Sequence, residues 1–225
     1  MGTSYNPHIV SDGLVLCLDA ANPRSYPGSG STWYDLSGNG NNFTLVSSVF
    51  DNTNGGSLSY GNNIRIYKTG PIFAGDNNLT IMAFFTANFS IMESHNIGTT
   101  RNFLQVTTNS AILDQYGPGG AGNRTNLSFA SNTGNKIVAH KINTDRTATW
   151  FYNGSFSDGG TDETYDSFGY NVEVTEIGNR TIGVNSNYFG GAFNGKIRTL
   201  LCYDIALTNN QILQNYNANR GRYGI

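Results

Sequence analysis

Short apolar or alternating runs, each closed by a glycine-, asparagine- or proline-rich turn, recur along the whole chain. Runs of this length suit strands rather than helices, and turns at roughly 8–12-residue spacing set such strands into an antiparallel sandwich or barrel. The first run, GLVLCLDA at 13–20, is bounded by Asp12-Gly13 and Asn22-Pro23, as a buried strand would be. Further strands are expected over 43–50, 57–60, 64–67, 103–107, 111–116, 127–130, 136–142, 147–152 and 173–177. Another lies inside the stretch 190–204. In the segment 79–87, Leu79, Ile81, Ala83, Phe85 and Ala87 alternate and share one face. Residues 22–42, 117–124 and 155–170 read as loops, and Asn153-Gly154 is the strongest hairpin signal in the chain.

One helix start stands out near the C-terminus. Thr208 is an N-cap and Gln211, three residues on, completes a capping box. Leu207 before the cap and Ile212 after it form a hydrophobic staple. The spacing predicts a short helix over 209–217 that ends into Gly221. No composition break marks a linker, so residues 1–225 are read as one domain.

Composition narrows the function. Charged residues make up only 12% of the chain, and net charge is −2, with basic residues scattered from Arg24 to Arg222. No basic stripe exists to neutralise a phosphate backbone, which argues against nucleic-acid binding. No apolar run approaches a membrane span, and residues 1–11 lack the pattern of a signal peptide. The two cysteines, Cys17 and Cys202, sit in apolar strand-like runs and are expected to be reduced and buried. That suits assembly in a reducing cytoplasm. Sequons at Asn42, Asn78, Asn88, Asn123, Asn126, Asn153 and Asn179 are read as a by-product of Asn, Ser and Thr abundance.

Several constellations carry possible chemistry. Asp35, Ser37 and Asn39 followed by Gly40 match the first half of a calcium loop. Val46 stands where the bidentate Glu belongs, so the loop is read as a turn in which Asp35 caps backbone N–H groups. Trp33 and Tyr34 could stack on a sugar, but are read as packing the loop onto the sandwich edge; Trp150 is assigned to the core. Glu173 and Glu176 are three apart on a strand and face opposite ways, and Asp162-Glu163 lies in a polar loop. A glycosidase needs two carboxylates on one face, so no enzyme is expected. His8, His95 and His140 are far apart and lack zinc spacing. No catalytic residue, cofactor site or metal site is assigned.

A resemblance adds to this reading. GLVLCLDAANPRSYPGSGSTWYDLSGNGNN (13–42) looks like the opening of laminin-G-like domains in structural proteins of tailed bacteriophages. The stretch AFNGKIRTLLCYDIALTNNQILQNYNANRGRYGI (192–225) is similar to their ending, and WFYNGS (150–155) resembles their aromatic-x-Asn-Gly hairpin. FDNTNGG (50–56) departs from the family's Phe-Asp-Gly turn, and residues 79–87 lack its usual Trp. The resemblance implies a concanavalin A-like antiparallel two-sheet jelly roll whose first and last strands lie close together. It also implies a non-enzymatic virion protein exposed on the particle, as capsid decoration or as a tail-fibre or baseplate component. Its partners would be other virion proteins, with no nucleic acid or membrane, and a homo-oligomer is compatible. The alternative is a carbohydrate-binding adhesion module that recognises a host-surface glycan.

Overall fold

In the computed structural model the described residues are 8–60, 64–70, 72, 78–87, 89–95, 100–106, 110–116, 122–128, 135–142, 147–161, 174–177 and 195–224. They form two antiparallel sheets and a C-terminal helix. The first sheet runs in the order β14 (Ser155–Thr161), β13 (Thr147–Tyr152), β12 (Asn135–Ile142), β7 (Leu79–Ala87), β16 (Gly195–Tyr203), β5 (Ser57–Tyr60) and β4 (Phe50–Asp51). β1 (Leu14–Asp19) joins the same flank of β16 as β5, pairing with residues 199–203 while β5 pairs with 195–197. The second sheet has the order β11 (Gly122–Ser128), β10 (Ser110–Tyr116), β9 (Thr100–Val106), β8 (Phe89–His95), β15 (Val174–Ile177), β6 (Arg65–Thr69), β3 (Phe43–Val46) and β2 (Thr32–Trp33).

The two-residue period of a strand sorts side chains onto opposite faces. On β7, Leu79, Ile81, Ala83 and Phe85 enter the core between the sheets, as the alternation predicts. They meet Leu16, Leu58, Trp150, Leu200 and Cys202 of the first sheet and Trp33, Phe43, Leu45, Ile66 and Ile177 of the second. The other face of β7 is also apolar: Met82 and Phe84 lie in a second buried cluster with Cys17, Ala139, Phe151 and Leu201. Cys17, Leu201, Met82, Ala139 and Phe151 form one cross-strand register row. The helix α1 (Asn209–Tyr223) seals this row with Ile212, Tyr216 and Tyr223.

The helix begins as the sequence indicates. Thr208 Oγ1 accepts from the Gln211 amide at 3.3 Å, and Gln211 Oε1 accepts from the Thr208 amide at 2.8 Å. Leu207 and Ile212 are both buried in the cluster beneath it. The helix does not stop near Asn217 but runs to Tyr223 and caps on Gly224 in the left-handed region. Gly221 costs about 1 kcal/mol relative to Ala inside a helix. Burial of Asn219 and Tyr223 and the Arg222–Asp19 ion pair at 2.9 Å hold the last turn against that cost.

Other boundaries differ where pairing overrides composition. The segment 155–170, read as a loop, starts with β14, because the Asn153-Gly154 turn folds Ser155 back onto Tyr152. Asn153 and Gly154 take φ of 44° and 101°, as a tight two-residue hairpin turn demands. Phe156 then packs on Phe151, with ring centroids 4.9 Å apart. The strand expected at 127–130 begins earlier, as β11 from Gly122, so 122–124, read as part of a loop, are strand whose polar residues pair along the whole of β10; 129–130 lie outside the described residues. β8 had no sequence signal of its own. The run 43–50 breaks at Ser47, which has φ of 59°. Gly195 opens β16 where a Cβ would strike the Thr86 carbonyl and the Tyr60 ring, which accounts for a glycine at the head of this strand.

Candidate ligand-binding face

The most conspicuous motif of the chain, residues 35–41, builds no ligand cage. It closes a sheet edge. β1 pairs with β16 on one side only, so its other backbone edge would be exposed. Asp35 Oδ1 accepts from the Cys17 amide at 2.9 Å, and the Leu36 amide donates to Cys17 O at 2.8 Å. Asn41 Nδ2 donates to Val15 O at 2.8 Å, and Asn39 Nδ2 donates to Leu14 O at 3.1 Å. Asp35 also accepts from the amides of Ser37 at 2.9 Å and Asn41 at 3.0 Å, and from Ser37 Oγ at 2.7 Å. Donors therefore occupy both oxygens, which leaves no lone-pair shell open for calcium. Among the described residues no three His, Cys, Asp or Glu side chains gather into a metal site.

The other described carboxylates of the core and its rim also hold structure. Asp19 binds Arg222 and accepts from the Ala21 amide at 3.0 Å. Asp51 binds Lys196 and Thr53, which hold its carboxyl well below the usual range. The Arg222 and Arg198 guanidiniums lie 5.2 and 5.1 Å from the Tyr223 ring centroid, and burial raises the Tyr223 phenol to about 12. This cluster fastens the helix end to the sheet. Glu173, Asp162 and Glu163 lie outside the described residues, as do the side chains of Glu176, His95 and His140. On the backbone, His140 takes the register position between Trp150 and Ile81. His8 is exposed, and its carbonyl accepts from Gln214 Nε2 at 2.6 Å.

Cys17 and Cys202 form no disulfide and are buried on paired strands. They belong to different clusters, Cys202 between the sheets and Cys17 under the helix. Burial, then the nearby Asp19 and Asp35 charges, pushes the Cys17 thiol up to about 12, so it is inert rather than nucleophilic.

The helix packs on the outer face of the first sheet and leaves the outward face of the second to other residues. Along its β2–β3–β6 edge, Trp33, Phe43, Leu45 and Ile66 point inward and their neighbours point out. Thr44 and Val46 are exposed, and Thr32, Arg65 and Tyr67 are half-buried. Thr32, Thr44 and Tyr67 stand in one register row, and Val46 is opposite Arg65. The Arg65 guanidinium lies 4.3 Å from the Tyr67 ring centroid, holding that ring in a cation–π stack. Tyr34, at the end of β2, is 45% exposed. The Trp33-Tyr34 pair therefore divides: Trp33 is structural as read, but inside the core rather than at the sandwich edge, whereas Tyr34 is a surface aromatic. Tyr67 and Arg65 were not singled out from sequence. Their signal is the alternation of Arg65, Tyr67 and Thr69 around buried Ile66, which becomes legible once the edge register is known. The row continues on the backbone through Glu176, Met92, Phe103, Asp114 and Arg124. Aromatic faces beside hydroxyls and a guanidinium can stack on a sugar ring and hydrogen-bond its hydroxyls.

The fold is an all-β antiparallel sandwich with a short C-terminal helix. No protein-family model matches the chain, and no curated protein matches it. Solved domains share its architecture. The binding domain of Paraclostridial Mosquitocidal Protein 1 superposes with a TM-score of 0.66 at 14% identity, over 94% of this chain and 53% of that one. The binding domain of Botulinum Neurotoxin DC, solved in complex with SialylT, gives 0.65 at 13% identity, over 92% and 52%. Domain 4 of AbnA, a GH43 extracellular arabinanase from Geobacillus stearothermophilus in complex with arabinotriose, gives 0.63 at 13% identity, over 92% and 98%. The chain thus spans about half of each toxin binding domain and nearly all of the arabinanase domain. At these identities the likeness establishes the fold.

Proposed function

We propose that this chain is a non-enzymatic carbohydrate-binding adhesion module whose ligand lies on the outward face of the second sheet. The observation that carries it is the Tyr34–Thr44–Tyr67–Arg65 surface, an exposed aromatic and a cation-stacked aromatic flanking hydroxyls. The neurotoxin binding domain solved with SialylT and the arabinanase domain solved with arabinotriose share the fold and support the same reading. The commitment of Asp19, Asp35 and Asp51 to structural bonds supports binding without hydrolysis. A glycan array probed with the isolated chain tests it: selective retention of one glycan class is expected, weakened about tenfold by Tyr34→Ala. Retention that ignores Tyr34 and Tyr67, or β-glucan turnover abolished by one Asp or Glu substitution, would contradict it.

A second reading rests on the resemblance of residues 13–42 and 192–225 to phage-borne laminin-G-like domains. The chain would then sit on a virion, held by protein contacts while its open face meets a host-surface glycan. Mass spectrometry of purified particles should find the chain; its absence would remove the virion placement and leave the binding module intact.

A further inference from the structure

Tyr34 and Tyr67 are not neighbours on their sheet, and their separation bears on what can bind. Tyr67 is opposite Thr44, and Thr44 is opposite Thr32, so the β2 and β6 positions lie two strands apart. Tyr34 follows Thr32 by two residues, one side-chain repeat further along the edge. With strands about 4.8 Å apart and residues about 3.4 Å along a strand, the two ring positions are offset diagonally by roughly 12 Å. Between them lie the exposed Thr44 and Asn42 and the half-buried Thr32. No described charged side chain interrupts that diagonal; Arg65 lies beyond it, stacked on Tyr67.

From this spacing we infer that the face takes an oligosaccharide chain lying diagonally across β2, β3 and β6, stacked on Tyr34 at one end and Tyr67 at the other, rather than a single terminal sugar. The inference rests on the carbohydrate reading above and specifies the ligand class for that surface. One pyranose or furanose ring is much shorter than the interval, so a monosaccharide engages one tyrosine at a time. A chain of roughly three residues is the shortest that meets both rings at once, given the strand spacing. The Thr44 hydroxyl between them can then donate to and accept from the central residue, and Asn42, whose Oδ1 already accepts from the Asp35 amide at 2.9 Å, can donate to it through Nδ2. Because each ring contributes separately within one ligand, both engagements must form for full affinity.

The test is titration calorimetry on the whole chain with matched length series: arabinose to arabinotetraose, glucose to cellotetraose, and glucose to maltotetraose. In the series that binds, affinity should rise at least tenfold between the monosaccharide and the trisaccharide and then level off. Tyr34→Ala and Tyr67→Ala should each return the trisaccharide to monosaccharide affinity, while Tyr67→Phe keeps it, since the ring and not the hydroxyl stacks. Unchanged thermal midpoints, checked on each variant, separate lost stacking from lost folding. A variant that melts early is replaced by Tyr34→Leu or Tyr67→Leu, which keep apolar bulk without the ring face. Equal affinity for monosaccharide and trisaccharide, or dependence on only one tyrosine, would overturn the chain-length inference while leaving carbohydrate binding in place. Binding by no saccharide in any series, or in the glycan array, would overturn both.

Discussion

Cys17 and Cys202 illustrate how much a single residue's setting depends on strand parity. Leu16, not Cys17, is opposite Cys202, so the two thiols face different cores although their strands pair. Native alkylation should label neither, and denaturing alkylation without reductant should label both; a protein with no labelled thiol under denaturing conditions would show a disulfide instead. The Cys17 thiol also gives a pH prediction. Its folded value of about 12 lies above the ordinary 9.0, so the unfolded chain loses this proton first. Stability from this group is therefore whole below pH 9.0 and falls as pH rises towards about 12, the range over which the unfolded chain binds fewer protons. Tyr223, raised to about 12 from 10.0, acts in the same direction. Denaturation midpoints measured from pH 8 to 11 should decline, and Cys17→Ala should flatten the first part of that decline. At the helix, Thr208→Ala should cost about 1 kcal/mol by removing the cap. Gly221→Ala should stabilise by about 0.5–1 kcal/mol, because Gly221 is helical, exposed and has open space where a Cβ would go. Chemical denaturation of the two variants reads both effects. The Thr208 box was legible in sequence because all of its bonds are local. The parting of Trp33 from Tyr34 was not, because it depends on which side of β2 faces the core.

Among the elements, the loop over 35–41 and the C-terminal helix do complementary work. The loop supplies side-chain donors and acceptors to the free edge of β1, and the helix covers the outer face of the first sheet. Asp35→Ala would leave the Cys17, Ser37 and Asn41 amides without their acceptor. We expect a loss of about 1–3 kcal/mol and faster hydrogen exchange at the Cys17 amide. Unchanged exchange there would mean that the edge is closed by other means. Strands such as β1, β7 and β13 were readable because both of their faces are buried, which makes them largely continuous apolar runs. β11 and the first part of 155–170 were not, since GNRTNLS and SFSDGGT are polar and owe their extended form to cross-strand bonds with β10 and β13. The helix end was misread for a related reason: Gly221 is a local stop signal, and Tyr223 packing against Phe84, with ring centroids 5.8 Å apart, is a long-range contact.

Taken whole, the described molecule has two unlike sides. One carries the helix together with residues 8–10, where Val10 N donates to Asn215 Oδ1 at 2.8 Å and Tyr203 donates to Val10 O at 3.0 Å. The other presents the Tyr34–Tyr67 surface. The sandwich itself could be read from strand spacing, but the choice between its faces could not, because it needs to be known which sheet the helix covers. Ligand is expected on the face that the helix does not cover, and site-selective blocking tests this placement most directly. Neither native thiol is accessible, so a single cysteine introduced as Thr44→Cys or as Asn217→Cys can be capped with a bulky maleimide in the folded protein. Binding of the glycan selected on the array is then compared for the two capped proteins. Capping position 44 should abolish binding while capping position 217 leaves it unchanged. Binding that survives the cap at 44 and disappears with the cap at 217 would contradict it.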